Sequence, residues 1–281
     1  MREEKALFFR STACPACGGS SIRAYKKGTY SDRLTQDQIR ITDSQYGKTW
    51  DLSRCSDCGH IFADPCPSPE SIFSLYGRVE DPLYEEEAPG RARNFRPILD
   101  TIEKLAPARG RLFDVGAATG ILLDLARRRG FVPDGIEPSA WAVRVAAEKY
   151  GLALRPGAFE AAALDPEAYD AVTMIDFIEH TPSPFEAVQN ASRILRPGGI
   201  LALVTPDVHS LAARIAGRKW WHYRPAHRPF SRILRCGPFS AGPDSPSSTS
   251  GATPGRSAPI ISCPGRASFP RCCGSGLWLL F

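Results

Sequence analysis

The sequence lacks any long apolar run, and it has no apolar segment near its first residues. It contains no window of eighteen consecutive apolar residues, so we expect no membrane-spanning helix. The first residues, Met1–Lys5, are mostly charged, which excludes the hydrophobic centre of a secretory signal peptide. Together these two absences predict a cytoplasmic protein.

Acidic and lysine side chains are nearly absent from the end of the chain. Glu186 is the last glutamate and Lys219 is the last lysine. Residues 229–281 contain five arginines against the single acid Asp244, so they hold +4 of the net charge of +5. The rest of the chain is nearly neutral and has no basic stripe with interleaved aromatics. We therefore expect no nucleic-acid binding.

The same terminal stretch is rich in residues that interrupt secondary structure. Serine, proline and glycine supply 23 of the 45 residues from 237 to 281, and four of the nine cysteines lie in this stretch or one residue before it. A low-complexity, disordered tail is one interpretation. We favour another, out-of-frame translation of a GC-rich gene. In that case residues after about 230 should contain no paired strands.

The central feature of the sequence is a strand, a turn and a helix between Arg111 and Gly130. Leu112–Val115 is a short apolar run typical of a buried strand, and Ile121–Arg129 has apolar residues at helical spacing. The turn between them contains the small residues Gly116, Ala117, Ala118 and Gly120. Small residues let a ligand approach the backbone and the unpaired amides at the start of the helix.

Two acidic residues next to this turn restrict the ligand. Asp114 ends the first strand, and Glu137, seventeen residues after Gly120, ends a second strand. An acidic residue in the second position accepts hydrogen bonds from ribose hydroxyls in doubly wound nucleotide sites. Asp114 suits a cationic amino group and would repel a pyrophosphate. Because the dinucleotide pattern G-x-G-x-x-G is also absent, we predict a ligand with a ribose and an amino acid but no phosphate.

Strands and helices alternate through the following region, which predicts a parallel, doubly wound sheet. The predicted elements are a helix over Pro138–Gly151, a strand over Tyr169–Ile175, a helix over Pro184–Leu195 and a strand over Ile200–Thr205. Asp176 and Phe177 follow the strand at Tyr169–Ile175. Ligands bind at the carboxyl ends of strands in such sheets, so we expect both residues to line the site.

These blocks, taken together, resemble class I S-adenosylmethionine-dependent methyltransferases. The segment from Asp114 to Gly120 resembles their motif D-x-G-x-G-x-G, with Ala118 where the middle glycine is usual. The resemblance implies an α/β, Rossmann-like, mainly parallel sheet, here expected without its last strands, and S-adenosylmethionine as cofactor. The implied cofactor-binding residues are Asp114, Gly116, Ala117, Ala118, Gly120, Glu137, Pro138, Phe159, Asp176 and Phe177. Phe159 belongs to this set because Gly157–Glu160 occupies the place of the family's adenine-contacting loop.

Two Cys-x-x-Cys-Gly turns near the start of the chain predict a zinc ribbon. Their cysteines are Cys14, Cys17, Cys55 and Cys58. Each turn directs two thiolates to one point, and four thiolates complete a tetrahedral, structural zinc site. The alternatives are a redox pair, which is expected at a βα turn, and disulfides, which are rare in cytosolic proteins. Paired knuckles ahead of such a domain resemble a bacterial subgroup grouped with ubiquinone-type O-methyltransferases or with sugar and natural-product tailoring enzymes.

Histidines provide the candidates for catalysis. His180 follows the strand at Tyr169–Ile175, so it is either a general base for a hydroxyl group or a helix-start residue with a satisfied hydrogen bond. A second group contains Trp220, Trp221, His222, Tyr223 and His227. These residues either line an acceptor pocket or pack a lid.

The sequence thus divides into four predicted segments. They are a zinc ribbon over 1–66, a linker over 67–92, a methyltransferase core over 93–228 and an out-of-frame tail over 229–281. Within the linker we expect a short helix at Ser68–Tyr76 and an acidic loop at Glu80–Glu87. A docking helix at Asn94–Leu105 should precede the main sheet, with Phe95, Ile98, Leu99, Ile102 and Leu105 on one face.

The resemblance implies methyl transfer to a small-molecule acceptor, with oxygen as the expected nucleophile. An out-of-frame tail would leave this chain with little or no activity. The alternative function is therefore a catalytically inactive zinc-ribbon and Rossmann-like binding protein. A nicotinamide-dependent reductase is a third possibility, which the turn sequence and Asp114 disfavour.

Overall fold

A computed structural model describes residues 8–29, 39–40, 42, 47–106, 108–208, 210–230 and 275–280. The strands are β1 (Phe8–Phe9), β2 (Ile22–Lys26), β3 (Leu52–Cys55), β4 (Ile61–Ala63), β5 (Cys66–Pro67), β6 (Arg111–Val115), β7 (Val132–Glu137), β8 (Arg155–Pro156), β9 (Tyr169–Ile175), β10 (Leu195–Pro206), β11 (Pro229–Phe230) and β12 (Ser275–Leu280). The α-helices are α1 (Pro69–Tyr76), α2 (Pro82–Glu86), α3 (Ala88–Leu105), α4 (Ile121–Arg128), α5 (Ala140–Tyr150), α6 (Pro184–Ile194) and α7 (Leu211–Ala216).

The largest sheet has the strand order β12-β10-β9-β6-β7-β8. The five strands from β10 to β8 are parallel to their neighbours, and β12 is antiparallel to β10. Helices α4, α5 and α6 connect successive strands of this parallel part. The prediction of an α/β, Rossmann-like, doubly wound sheet is therefore confirmed.

Alternating residues of the central strands form the two faces of this sheet. Phe113 and Met174 pack in one core cluster with residues of α6, whereas Leu112 and Ala171 pack in another with α3 and α4. Residues i and i+2 of a strand share a face, so a strand between two helix layers is apolar at nearly every position. This explains why the short run from Leu112 to Val115 predicted a buried strand.

The helix before the main sheet is longer than predicted. α3 extends from Ala88 to Leu105, and Ile98, Leu99 and Ile102 are buried on its packed face. Leu105 is 41% exposed at the last turn, so the prediction that it packs with them is wrong. The acidic loop predicted over Glu80–Glu87 is also wrong, since it contains α2, which begins with Pro82 at its first turn.

The N-terminal module is a small antiparallel sheet with the order β11-β4-β3-β2. Its innermost residues share a hydrophobic core with a later segment that includes α7 and Trp220. Trp50 is 2% exposed and donates a hydrogen bond from Nε1 to the carbonyl of Pro225 at 2.8 Å. The ribbon is thus docked onto the segment 208–228, which we call the lid.

The end of the chain departs from the prediction of no paired strands after about residue 230. β12 pairs along β10 over six positions, from Leu201 opposite Leu280 to Pro206 opposite Ser275. The apolar run Leu277–Leu280 is long enough for a strand, and an apolar central strand such as β10 requires a partner on each edge. Residues 231–274, which contain most of the predicted out-of-frame tail, lie outside the described residues.

Candidate functional site

The turn after β6 has the backbone geometry of a ligand loop. Gly116, Ala118 and Gly120 have φ of 71°, 47° and 84°. With a φ of 84°, Gly120 adopts a backbone conformation that is strained for any other residue, so this position favours glycine. Ala118 adopts a left-handed conformation, which is free of strain for the glycine usual at this position. For alanine this conformation raises the conformational energy by about 1–2 kcal/mol. The backbone amides of Gly116 and Ala117 donate to the carbonyl of Ile136, which holds the loop against β7.

The two predicted acidic residues lie at neighbouring strand ends beside this loop. Asp114 is 4% exposed and accepts a hydrogen bond from Thr173 at 2.5 Å, and Glu137 is 8% exposed. The carboxylate of Glu137 accepts from the amides of Ala118 at 2.9 Å and Ser139 at 2.8 Å. Burial raises the pKa of each carboxyl to about 7. Two carboxyls kept buried at an energetic penalty, next to a loop of small residues, indicate a site for a donor-rich or cationic ligand.

The end of β9 forms the other side of this crevice. Asp176 is exposed and has a φ of 51°. Desolvation by the residues around it raises the pKa of its carboxyl to about 6. Strained backbone of this kind is concentrated at functional sites. Phe177 packs over the loop, since a Cβ on Gly116 would lie 3.1 Å from its ring. Both residues therefore lie where the sequence placed them, and their contact with a cofactor remains a prediction.

Two other predicted cofactor residues lie in different surroundings. Phe159 is 3% exposed and packs in the core, with its ring centroid 6.1 Å from that of Phe113 and 6.3 Å from that of Phe177. In this conformation it has no ring face to offer a ligand, so the structure places it behind the crevice wall. Pro138 is half-buried after β7.

The sequence did not predict the role of α2 and α3 at this site. Glu85 hydrogen-bonds Thr119 in the loop and also contacts Lys149 and Tyr150 of α5. Arg91 lies with its guanidinium carbon 3.9 Å from the centroid of the Tyr84 ring. These helices close one side of the crevice. An acidic run such as Glu80–Glu87 is usually solvated, so the sequence had no local signal for these contacts.

His180 lies in a hydrogen-bonded group of residues that are distant in sequence. Its Nδ1 is 2.7 Å from the Tyr76 hydroxyl and 3.2 Å from the carbonyl oxygen of Ala226. When Nδ1 carries the proton it can donate to the carbonyl, and when it does not the tyrosine hydroxyl can donate to it. Burial lowers the pKa of His180 to about 3. The imidazole is therefore neutral near pH 7.

His227 and Glu179 complete this group. The ring centroids of His180 and His227 are 4.9 Å apart, and the His227 Nδ1 is 2.8 Å from the carbonyl oxygen of His222. A carbonyl only accepts, so His227 carries its proton on Nδ1 and its Nε2 is unprotonated in the neutral ring. Glu179 is 1% exposed and accepts a hydrogen bond from Thr205 at 3.0 Å.

One nitrogen of each histidine and one oxygen of Glu179 lie within 4.8 Å of one another, which is compatible with a metal site. The surrounding charge disfavours this use. Burial lowers the pKa of both His180 and His227, and the guanidinium of Arg224 lowers both further. A positive potential opposes a bound cation as it opposes a proton.

Much of the aromatic group near residue 220 is packing. Trp220 is fully buried and Tyr223 is 6% exposed, and both belong to the core shared by the ribbon and the lid. Of the two histidines predicted with them, His227 contacts the His180 group directly. Trp220 and Tyr223 therefore pack the lid, as one alternative predicted. His227 lies beside His180, and the lining of an acceptor pocket stays a prediction.

The four knuckle cysteines come together at the tip of the ribbon. The Sγ atoms of Cys14 and Cys58, and those of Cys17 and Cys55, are 3.7 Å apart, and all four lie within 4.8 Å of one another. A zinc ion with Zn–S bonds of about 2.3 Å in a tetrahedron would require sulfur separations of about 3.8 Å. The sulfur positions therefore fit zinc.

Comparison with known families identifies the core of the chain. Residues 86–234, more than half of the sequence, match the methyltransferase domain family Methyltransf_23. The chain belongs to this family, which confirms the resemblance to class I S-adenosylmethionine-dependent methyltransferases. Within the described residues, no helix is both long and apolar enough to cross a membrane.

Two curated relatives agree with this assignment. The ubiquinone biosynthesis O-methyltransferase of Paracidovorax citrulli is 35% identical over 137 residues, covering 43% of this chain and 58% of that protein. The enzyme of the same name from Leptothrix cholodnii is 34% identical over 179 residues, covering 60% and 69%. The chain spans about half the length of the first curated relatives it matches. An amino pentose methyltransferase from Micromonospora echinaspora, solved with S-adenosylmethionine bound, is 26% identical with a TM-score of 0.39, covering 45% of this chain and 57% of that one.

Proposed function

We propose that this chain binds S-adenosylmethionine beside the turn after β6 and methylates an oxygen of a small-molecule acceptor. The observation that carries this proposal is the pair of buried carboxyls, Asp114 and Glu137, on either side of a loop with left-handed residues. The curated relatives are named O-methyltransferases, which supports oxygen as the nucleophile. A nicotinamide dinucleotide would place a pyrophosphate next to Asp114, which is electrostatically unfavourable.

Each carboxyl has a defined role in this proposal. Glu137 would accept hydrogen bonds from the ribose hydroxyls, and Asp114 would hold the amino group directly or through water. When bound, S-adenosylmethionine supplies a methyl group on a positively charged sulfur, and methylation of a hydroxyl releases one proton. Zinc would be held by Cys14, Cys17, Cys55 and Cys58 and would stabilise the ribbon. Four thiolates leave no open coordination position, so zinc would take no part in the transfer.

His180 is our candidate for taking up the released proton. Its imidazole is neutral at physiological pH, but a pKa of about 3 makes full protonation unfavourable by about 5 kcal/mol at pH 7. We infer that a proton on His180 Nδ1 would be held by the Tyr76 oxygen and the carbonyl oxygen of Ala226, which can both accept from it.

Removing the Glu137 carboxylate should weaken cofactor binding. For Glu137→Ala we expect the affinity for S-adenosylhomocysteine, measured by calorimetry, to fall by roughly 1.5–3 kcal/mol, the range for hydrogen bonds to a charged group. The wild-type affinity should rise between pH 6 and pH 8, because ionisation of a carboxyl with a pKa of about 7 improves it as an acceptor. The pH dependence should be smaller in the variant.

Glu148→Ala, an exposed position on α5, is the matched control and should bind normally. NAD should not bind to the wild type. Unchanged binding of S-adenosylhomocysteine in Glu137→Ala, or tight binding of NAD, would contradict the proposed function.

Changing His180 should affect transfer and leave cofactor binding intact. For His180→Asn we expect a 10²- to 10⁴-fold lower rate of label transfer from S-adenosylmethionine to a phenolic acceptor, as is typical when a general base is lost. Tyr76→Phe should lower the rate less, since the imidazole remains. Glu148→Ala, at the exposed position on α5, is again the control and should transfer at the wild-type rate. Equal rates in His180→Asn and the wild type would remove His180 from the mechanism.

A further inference from the structure

A cavity of about 310 Å³ lies between the ribbon and the methyltransferase core. One wall is the segment from Phe9 to Ala13, and the opposite wall is Thr181–Ser183, which leads into α6. Arg228 and Cys66 also line the cavity. None of these residues belongs to the cofactor crevice described above.

Arg228 is buried in this cavity without a counter-ion. Only 4% of its surface is exposed, and its Nε and Nη1 atoms have no hydrogen-bond partner. Its Nη2 lies 3.7 Å from the Cys66 sulfur, which is a weak acceptor. Within the described ranges, no carboxylate oxygen lies within 4.0 Å of this guanidinium. A buried, unpaired charge of this kind is strongly unfavourable unless an anion or a set of acceptors compensates it.

Backbone hydrogen bonds join Arg228 to both the core and the ribbon. Its amide donates to the carbonyl of Glu179 at 2.8 Å, and its carbonyl accepts from the amide of Ala63 in β4 at 2.7 Å. The main chain of Arg228 is therefore held by the ribbon and by the core. This arrangement holds a positive charge in one place before any ligand arrives, which is favourable for binding.

Other groups around the cavity add to the positive potential. Arg10 lines the same cavity. Ser183 precedes the first turn of α6, an 11-residue helix, and its hydroxyl makes no capping hydrogen bond. The start of a helix carries partial positive charge. The nearby carboxylate of Asp64 accepts hydrogen bonds from the Ser11 amide and the Ser53 hydroxyl, and it forms no ion pair with Arg228.

We propose that this cavity binds an anionic group, a carboxylate or a phosphate, of the methyl acceptor. The cavity adjoins the candidate catalytic group, because Thr181 follows His180 and Arg228 follows His227 in the chain. An acceptor bound through Arg228 would thus extend toward His180. The anion site follows from the cavity alone, and only its assignment to the acceptor rests on the proposed function.

The test uses the full chain and two simple probes, inorganic phosphate and acetate, at constant ionic strength with chloride as the balancing anion. We expect saturable binding of at least one probe by calorimetry or by the thermal midpoint. In Arg228→Gln the dissociation constant should rise at least tenfold. Arg144→Gln, an exposed arginine on α5, should match the wild type. A preference for phosphate or for acetate identifies which anionic group the acceptor carries.

Two results would overturn the proposal. One is the absence of saturable binding of both probes, as expected for a cavity that holds only water. The other is equal binding by Arg228→Gln and the wild type. If Arg228→Gln does not fold, Arg10→Gln replaces it, with weaker binding expected and unchanged binding overturning the proposal. S-adenosylhomocysteine is titrated in parallel. If it fails to bind while the anions do, the proposed function fails and the anion site stands.

Discussion

Replacing Cys55 by serine should release zinc and unfold the N-terminal ribbon. The ribbon has few strands of its own, and β2, β3 and β4 are joined to the knuckles that hold Cys14, Cys17, Cys55 and Cys58. In small metal modules the binding free energy of zinc, about 10–16 kcal/mol, is folding free energy. We expect one zinc per chain in the purified protein, and none in Cys55→Ser.

The loss should extend beyond the ribbon. Because Trp50 packs in the core shared with the lid, hydrogen exchange should increase over residues 47–67 and over 208–228. Cys66→Ser is the matched control, since Cys66 is a buried cysteine outside the four-sulfur cluster and should retain zinc. Metal analysis that finds no zinc in freshly purified wild type would show that the thiol cluster has another purpose.

The parts that the sequence predicted well are those that depend on local pattern. The apolar run before Gly116, the small residues of the turn and the acid at Glu137 lie within one strand-helix-strand unit. Their spacing alone places them at one sheet edge. The helix predicted over Pro138–Gly151 is of the same kind, since α5 is capped by the Ser139 side chain, which accepts from the Ala142 amide, and ends at the left-handed Gly151. The knuckle pairs also follow from short spacing, because each fixes its own loop.

The remaining features arise from contacts between distant residues. Tyr76 meets His180 across 104 positions, and Trp50 meets Pro225 across 175. No spacing rule predicts that His180 contacts Tyr76, because the sequence around each residue is equally consistent with ordinary packing. The exposed position of Leu105 has a similar cause. A helical face predicts which residues share a side, but the length of the covering surface determines where burial ends.

The strand at the end of the chain was missed for a different reason. The composition of residues 237–281 is dominated by serine, proline and glycine, and an average over that stretch hides a short apolar run. Leu277–Leu280 contains only large apolar residues and is itself a local strand signal. The out-of-frame interpretation of the tail remains a hypothesis, and it now has to accommodate a strand that pairs along β10.

Deleting residues 275–281 should destabilise the domain severely. The six residues of β12 pair with Leu201–Pro206, and at about 0.5–1.5 kcal/mol per hydrogen bond the ladder contributes several kcal/mol. A domain of this size is stable by only about 5–15 kcal/mol in total. The shortened chain should therefore unfold at much lower urea concentration. Its exposed β10 edge should also promote aggregation, visible by sedimentation.

A proline scan separates this pairing from a general effect of shortening the chain. β12 lies at the edge of the sheet, so its amides point alternately toward β10 and away from it. Proline at Leu277, Trp278 and Leu279 in turn should give unequal losses of stability, with the middle position differing from its two neighbours. Three equal, small effects and a stable shortened chain would mean that β12 is not paired in solution. That result would favour the out-of-frame interpretation, since translation in the wrong frame has no reason to supply a strand that fits β10.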